Sequence, residues 1–261
     1  MKDKILLFIP AYNCEKQITR VLASLDNSKV TDYITEIIVV NNLSTDNTEK
    51  TAVSFAKKHT KLPIKILRNQ SNYGLGGSHK VAFKYAIENN FDYIITLHGD
   101  NQGNINDILP ILEDLSYRNH DCCLGSRFMK GSHLKNYSKE RIFANYVFNL
   151  MYSLLLWRKI YDMGSGLNMY KVKSLKKILP DLLLLNDTLS FNCDMLCLMA
   201  YSKIDFTFFP ISWSETDQVS NVKLIKTTYE IIKLPILYLL RVRPNKTSTC
   251  RKYNYNIINK C

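Results

Sequence analysis

The sequence predicts an α/β fold, a mostly parallel sheet with helices on both faces. Three observations carry that prediction. Short apolar runs alternate with helix-patterned segments through the first half of the chain. Two of these runs, Lys4–Ile9 and Tyr93–Leu97, are apolar almost throughout, as strands covered on both sides must be. Each then breaks into polar residues, Pro10-Ala11-Tyr12-Asn13-Cys14-Glu15 in one case and His98-Gly99-Asp100-Asn101-Gln102 in the other. Ligands of open α/β sheets bind beyond the carboxyl ends of the strands. A carboxylate there suits a hard divalent cation and a diphosphate.

The elements follow in order. Lys4–Ile9 reads as a strand, and Glu15–Leu25 as a helix with Ile18, Val21, Leu22 and Leu25 on one face. Glu36–Val40 is a strand, and Asp46–His59 a helix capped from Ser44 or Thr45. Ile64–Leu67 is a strand, Ser78–Asn89 a helix, Tyr93–Leu97 a strand, Asn106–Ser116 a helix and Asp121–Gly125 a strand. The second half is less regular. Ser138–Trp157 reads as a helix with a strongly apolar end, Ser190–Tyr201 as a helix and Phe206–Ile211 as a strand. Val222–Leu240 reads as a helix kinked by Pro235, and Pro244–Cys261 as a polar tail. Neither apolar stretch reaches the roughly 20 uncharged residues that span a bilayer.

The 261 residues can bury a large core, and 46% hydrophobic against 22% charged residues exclude disorder. Seven cysteines without a C-x-x-C pair argue against a disulfide framework or zinc site and for a reducing cytosol. The apolar run Ile5–Ile9 is too short for a cleavable signal. The net charge of +12 is concentrated in Arg127–Lys159 and at the carboxyl end, where nine Lys/Arg after Val222 face Glu230 alone. Such a surface attracts nucleic acid, anionic membrane or phosphorylated ligands, or is a solvated basic face. Nucleic acid is disfavoured, because the basic end lacks interleaved aromatic stacking platforms.

Several motifs, in order, carry a resemblance. They are Pro10-Ala11-Tyr12-Asn13-Cys14-Glu15, Val39-Val40-Asn41-Asn42-Leu43-Ser44-Thr45-Asp46-Asn47-Thr48, the loop Asn69–Ser78, His98–Gln102, Gly125-Ser126-Arg127, and Asp162–Tyr170. Over roughly Lys4 to Lys226 the chain resembles family 2 glycosyltransferases of GT-A fold. It is most similar to polyprenyl-phosphate sugar transferases and related bacterial surface-polysaccharide enzymes. The resemblance implies a Rossmann-like catalytic domain over 1–221 and a basic, membrane-proximal helix and tail over 222–261. It also implies an inverting transfer from a nucleotide-diphosphate sugar to a polyprenyl phosphate or lipid-linked saccharide. A uridine-linked donor is weakly preferred over GDP-mannose. The enzyme would lie in the cytoplasm, peripheral to the inner face of the plasma membrane.

The resemblance assigns roles residue by residue. Pro10, Tyr12, Asn13 and Glu15 would touch base and ribose; Asn13 reads equally as a helix N-cap. Asn41 and Asn42 stand where the family carries two Asp that bind the nucleotide base, and an amide both accepts and donates. Asp46 and Thr48 read as helix caps. Gly74 and Gly76 would let the backbone approach a diphosphate or a neighbouring strand, and Lys80 would face phosphate. Asp100 and Gln102 would hold Mg²⁺ or Mn²⁺. His98, in place of the family's first Asp, is either a third ligand favouring Mn²⁺ or a structural group. Arg127, Arg141, Asn145 and Ser165 fall on the acceptor side, where an Arg fork suits phosphate; Arg141 reads equally as a surface cation. Asp162 is either a sugar contact or the partner of an Arg. Asp194 is the candidate base, and Arg127 and Asp100 complete the catalytic set. Trp213, in a segment that resembles one closing over the donor, reads as core. The helices at Tyr146–Trp157 and Thr228–Arg243 would dock on anionic lipid or pack into the core. Two alternatives stay open: a soluble glycan or protein acceptor, and a non-catalytic relative that binds nucleotide-sugar or membrane.

Overall fold

A computed structural model describes residues 2–26, 28–217, 224–240 and 251–259. The first half alternates as predicted: β1 (Ile5–Ala11), α1 (Glu15–Asp26), β2 (Ile34–Asn41), α2 (Thr48–Lys58), β3 (Ile64–Asn69), α3 (Gly74–Glu88) and β4 (Tyr93–Leu97). All seven residues of β1 and all five of β4 are buried, as strands covered on both faces require. The helix expected over Asn106–Ser116 is only α4 (Leu109–Glu113), with 3₁₀ turns on either side. Leu115 adopts left-handed backbone (φ 60°), which stops it.

The remainder is β5 (Cys122–Ser126), β6 (His133–Lys135), α5 (Lys139–Leu155), β7 (Leu167–Lys171), α6 (Val172–Leu182), α7 (Phe191–Tyr201), β8 (Phe206–Pro210), β9 (Ser212–Ser214), α8 (Leu224–Leu239) and β10 (Tyr255–Ile257). The main sheet runs β10-β3-β2-β1-β4-β7-β5-β8, and β6 pairs with β9 in a second, two-stranded sheet. Only β7 and β10 run against the rest of the main sheet. One apolar cluster covers the α1, α2 and α4 side, and the other packs α3, α6 and α7 on the opposite side.

Two expectations at the carboxyl end need correcting. Residues 251–259 are no free tail, because β10 extends the main sheet along β3 and Ile258 N donates to Ile66 O (2.9 Å). Helix α8 also packs on α7 and α5, and Leu234 is buried. The predicted boundary at 221/222 and the basic residues Lys223, Arg241, Arg243, Lys246 and Lys260 lie outside the described residues. Among the described residues no helix is long and apolar enough to cross a membrane.

From β1 the chain builds β2 and β3 on one side, then crosses to place β4 on the other. A crevice opens where strand order diverges in this way. The Tyr12–Cys14 and His98–Gln102 loops flank it, joined where Gly99 N donates to Pro10 O (3.1 Å).

Candidate functional site

The β1–α1 and β2–α2 loops are stitched together. Asn13 has left-handed backbone (φ 48°); its N donates to Ser44 Oγ (3.1 Å), and its Oδ1 accepts from Thr45 N (2.8 Å). It therefore fastens the neighbouring loop rather than capping α1. Glu15 accepts from Asn47 N (3.3 Å) and donates its own N to Asp46 Oδ2 (3.1 Å). Asp46 Oδ1 accepts from Thr48 N (2.9 Å), so this pair opens α2 as expected. Tyr12 stays 42% exposed, a ring face at the mouth of the crevice.

Asn41 and Asn42 are buried, and their amides serve the fold. Asn41 donates to Glu49 (2.8 Å) and accepts from Ser44 N (3.0 Å). Asn42 accepts from Asn69 Nδ2 (2.9 Å) and Tyr73 N (2.8 Å), and donates to Asn72 Oδ1 (2.8 Å). The expectation that they read a base is corrected: no face of either amide is turned to solvent. The glycine loop is corrected too. A Cβ on Gly74 (φ 73°) would lie 2.2 Å from Asp187 O, and one on Gly76 would lie 2.5 Å from Asn186 O. The close approach these glycines allow is to the 186–187 turn, not to a diphosphate. Lys80 is fully buried, and its ammonium donates to Leu185 O, Asp187 Oδ1 (2.7 Å) and Tyr253 OH (3.0 Å). With its three protons so placed, it does not face phosphate.

At the end of β4, Asp100 Oδ1 accepts from Gln102 N (3.2 Å), and burial pushes its carboxyl up to about 6. His98 is seated against Gly166, whose missing Cβ would lie 2.9 Å from the imidazole Cγ. Its ring meets His79 of α3 edge to face at 5.9 Å. Sequence reasoning missed His79, a histidine on the inner face of α3; the only signal was a polar residue among apolar ones. Burial drives His98 down to about 4 and His79 to about 3, and the Nε2 atoms of both are buried without a hydrogen-bond partner.

Two buried neutral imidazoles make the fold acid-sensitive. Their folded values lie below the ordinary 6.5, so the unfolded chain takes up protons first as pH falls. The stability they contribute is complete above pH 6.5 and is lost as pH falls from there towards 4 and 3. At pH 5 the loss is roughly 2 kcal/mol per histidine. Urea unfolding at pH 7 and pH 5 should show it, and His79→Phe should remove about half. An equal loss in wild type and variant would refute this assignment.

Arg127 is largely enclosed, with 13% of its side chain accessible, and committed. Its Nε donates to Asp162 Oδ2 (2.8 Å), and its Nη2 to Asp162 Oδ1 (2.8 Å) and Gly164 O (3.0 Å). The guanidinium lies over Trp213 (5.1 Å) and Phe128 (5.2 Å), and Trp213 is core as expected. Of the two readings of Asp162, the Arg partner is the one formed. Arg127 still acts at the site through its charge, which lowers both His98 and Asp100.

Arg141 projects from the first turn of α5, half-exposed, and its Nη1 donates to both oxygens of Glu215 (2.8 and 2.6 Å). Asn145 Nδ2 donates to Arg141 O (2.7 Å). Ser165 is buried, and its hydroxyl donates to Leu167 O (3.2 Å), so it is an internal support rather than an acceptor contact. Asp194, expected as a base, is 1% exposed. It accepts from Asn186 N (3.1 Å), Asn186 Nδ2 (2.9 Å) and Tyr238 OH (3.2 Å). A carboxylate so enclosed does not reach an acceptor in this conformation. The structure thus gathers Tyr12, His98, Asp100, Gln102 and Arg127 around the crevice, with Arg141 and Asn145 on α5. It withdraws Asn41, Asn42, Gly74, Gly76, Lys80, Ser165 and Asp194 into the fold.

The family model described as glycosyl transferase family 2 matches residues 7–179. The UDP-N-acetylglucosamine–dolichyl-phosphate N-acetylglucosaminyltransferase of Methanococcus voltae is 27% identical, covering 67% of this chain and 73% of that protein. Among solved structures, TarS 1–349 of S. aureus in complex with UDP-GlcNAc has a TM-score of 0.64 at 18% identity. It covers 93% of this chain and 68% of that one. The mannosyltransferase PcManGT of Pyrobaculum calidifontis, in complex with GDP-Man and Mn²⁺, has a TM-score of 0.64 at 15% identity. It covers 92% of this chain and 65% of that one.

Proposed function

The chain belongs to glycosyl transferase family 2, and from that premise we propose an inverting sugar transfer to a lipid-linked acceptor at the cytosolic face of a membrane. The donor is a nucleotide-diphosphate sugar, a uridine-linked one first. The acceptor is a polyprenyl phosphate or a lipid-linked saccharide, in cell-surface polysaccharide or glycoconjugate synthesis.

The observation that carries this reading is an exposed apolar face on α5. Its first turn holds Arg141. The following turns expose Phe143, Tyr146, Val147, Leu150 and Leu154, and Trp157 beyond the helix end is 91% exposed. Phe143, Tyr146, Val147, Leu150 and Leu154 recur at three and four residues, one continuous stripe roughly 17 Å long. The stripe suits a hydrocarbon tail or a bilayer surface, while Arg141, on the body-facing side of the helix in line with buried Tyr152, faces Glu215. Tyr229, Ile232, Ile236 and Leu240 of the α8 segment add exposed apolar surface.

A divalent cation, Mg²⁺ or Mn²⁺, fits the donor set at the β4 end. Asp100 offers a hard carboxylate, Gln102 an amide oxygen, and His98 a neutral imidazole with an unpartnered nitrogen. Among the described residues no three His, Cys, Asp or Glu cluster, so further ligands would come from diphosphate and water. Such a cation supplies charge neutralisation for the departing diphosphate. The chain does the rest. Tyr12 presents a face to the base, and Arg127 keeps positive potential over the crevice. An acceptor phosphate oxygen, already ionised, needs no base. It forms the new bond to the anomeric carbon as the bond to the diphosphate oxygen breaks in line, which inverts configuration.

The test is nucleotide release from a panel of nucleotide sugars with Mn²⁺ or Mg²⁺, with and without polyprenyl phosphate in anionic vesicles. One donor should respond to lipid. Leu150→Glu with Leu154→Glu should cut the lipid-stimulated rate about a hundredfold or more, since burial of each leucine contributes ~1.5–3 kcal/mol. Stimulation by a soluble glycan instead would overturn the lipid reading, and donor binding with no release under any condition would favour a non-catalytic relative.

A further inference from the structure

We propose that Glu215 is a built-in competitor for the acceptor phosphate, setting a threshold that a doubly charged phosphomonoester passes more readily than a singly charged phosphodiester. The inference rests on the acceptor reading of Arg141. Both carboxylate oxygens of Glu215 accept from Arg141 Nη1, at 2.8 and 2.6 Å. The guanidinium lies over the Tyr137 ring at 4.2 Å, which fixes its plane. Arg141 is thus a pre-oriented cation whose anionic partner is internal.

The exchange needs only a side chain to move. Glu215 N donates to Lys135 O (3.1 Å), and Glu215 O accepts from Asn136 Nδ2 (2.9 Å). On one side the strap is fastened by the pairing of β9 with β6. On the other, Asp217 accepts from Arg20 Nη2 (2.6 and 2.8 Å), and Gln17 Nε2 donates to Asp217 O (3.2 Å). With the backbone held on both sides, only the carboxylate swings away. The pair is also partly exposed, with side-chain accessibilities of 51% for Arg141 and 25% for Glu215. An ion pair of that exposure contributes only about 1 kcal/mol or less, so a ligand can displace it.

Charge decides which ligand does. A carboxylate brings one negative charge to the guanidinium, and a phosphomonoester near pH 7 brings between one and two, with three acceptor oxygens. A phosphodiester, or either phosphorus of a diphosphate-linked saccharide, brings one. The monoester wins the exchange, and a singly charged phosphate meets an equal competitor. Of the two acceptors left above, this favours the lipid monophosphate.

The experiment is direct binding of geranyl phosphate and of its methyl diester to the full-length protein at pH 7.5, by calorimetry. The variants are Glu215→Gln, Arg141→Ala and the double variant, each checked for an unchanged thermal midpoint. Glu215→Gln should bind the monoester about three- to tenfold tighter, the loss of a partly exposed competing pair. It should gain by a similar factor for the diester, since either ligand must break the same pair, so that the diester's weak binding becomes measurable. In the Arg141→Ala background the same change should bring no gain. If Glu215→Gln leaves affinity unchanged or weakens it while Arg141→Ala also weakens it, Glu215 does not compete and the proposal fails alone. If Arg141→Ala binds the monoester as well as wild type, the acceptor reading of Arg141 fails and the proposal falls with it.

Discussion

Asp100→Asn should abolish transfer while making the protein more stable. The carboxylate stands at the end of a fully buried strand, where burial raises its pKa from the ordinary 3.8 to about 6. An acid whose folded value is raised binds its proton more tightly folded than unfolded. Stability is therefore lost as pH rises from about 4 to 6, and at pH 7 the ionised group costs the fold up to about 3 kcal/mol. Asparagine removes that cost and keeps an oxygen for Gln102 N. The thermal midpoint at pH 7 should rise. Yet the substitution deletes the carboxylate proposed above to share a cation with the diphosphate. Lost neutralisation of a leaving diphosphate corresponds to several kcal/mol, so kcat/KM for nucleotide release should fall by about a thousandfold or more. In wild type, protons compete with the cation for this carboxyl, so transfer should weaken below about pH 6. Opposite signs for stability and activity mark a group strained for function rather than for folding. A variant with activity within tenfold of wild type would remove Asp100 from the site.

What could be read from the sequence, and what could not, divides by range. β1 and β4 were visible because a strand covered on both faces must be apolar along its length, and their polar ends were visible because nothing in a core explains Asp100. The strand β7 was missed. Leu167-Asn168-Met169-Tyr170-Lys171 carries an amide in mid-strand, and its burial makes sense only once Asn168 Oδ1 is seen to accept from Gly125 N (3.1 Å). Lys80 was read towards phosphate because an isolated lysine after a glycine loop has no other evident partner. Its partner Asp187 is supplied by a turn 107 residues later. The glycines told the same half-truth: Gly74 announces a close approach, but not that Asp187 is what approaches. Polar side chains declare their chemistry locally, and their partners are chosen by topology. Hence Asp100 stays at a strand end, where its chemistry pointed. Asn41, Asn42 and Asp194 are turned inward by the fold.

Asp162→Ala should be the most destabilising single change at the site. Asp162 has no exposed side-chain surface, and Arg127 is 13% accessible. The carboxylate accepts from Arg127 N (2.9 Å), Nε and Nη2, and from Gly164 N (3.0 Å). Removing it leaves a buried guanidinium with Gly164 O and two aromatic faces. A buried charge stripped of its partner costs about 3–5 kcal/mol, much more than the pair itself contributes. Asp162→Asn keeps the shape and part of the hydrogen bonding, and should cost less. Arg127→Met removes the stranded cation, so Arg127→Met with Asp162→Ala should be more stable than Asp162→Ala alone. That reversal distinguishes an uncompensated charge from simple loss of packing, in which each deletion would add to the last. Urea midpoints at pH 7.5 for the three variants measure it. A cost below about 1 kcal/mol for Asp162→Ala would mean that water reaches Arg127, and the guanidinium would then be free to serve the acceptor after all.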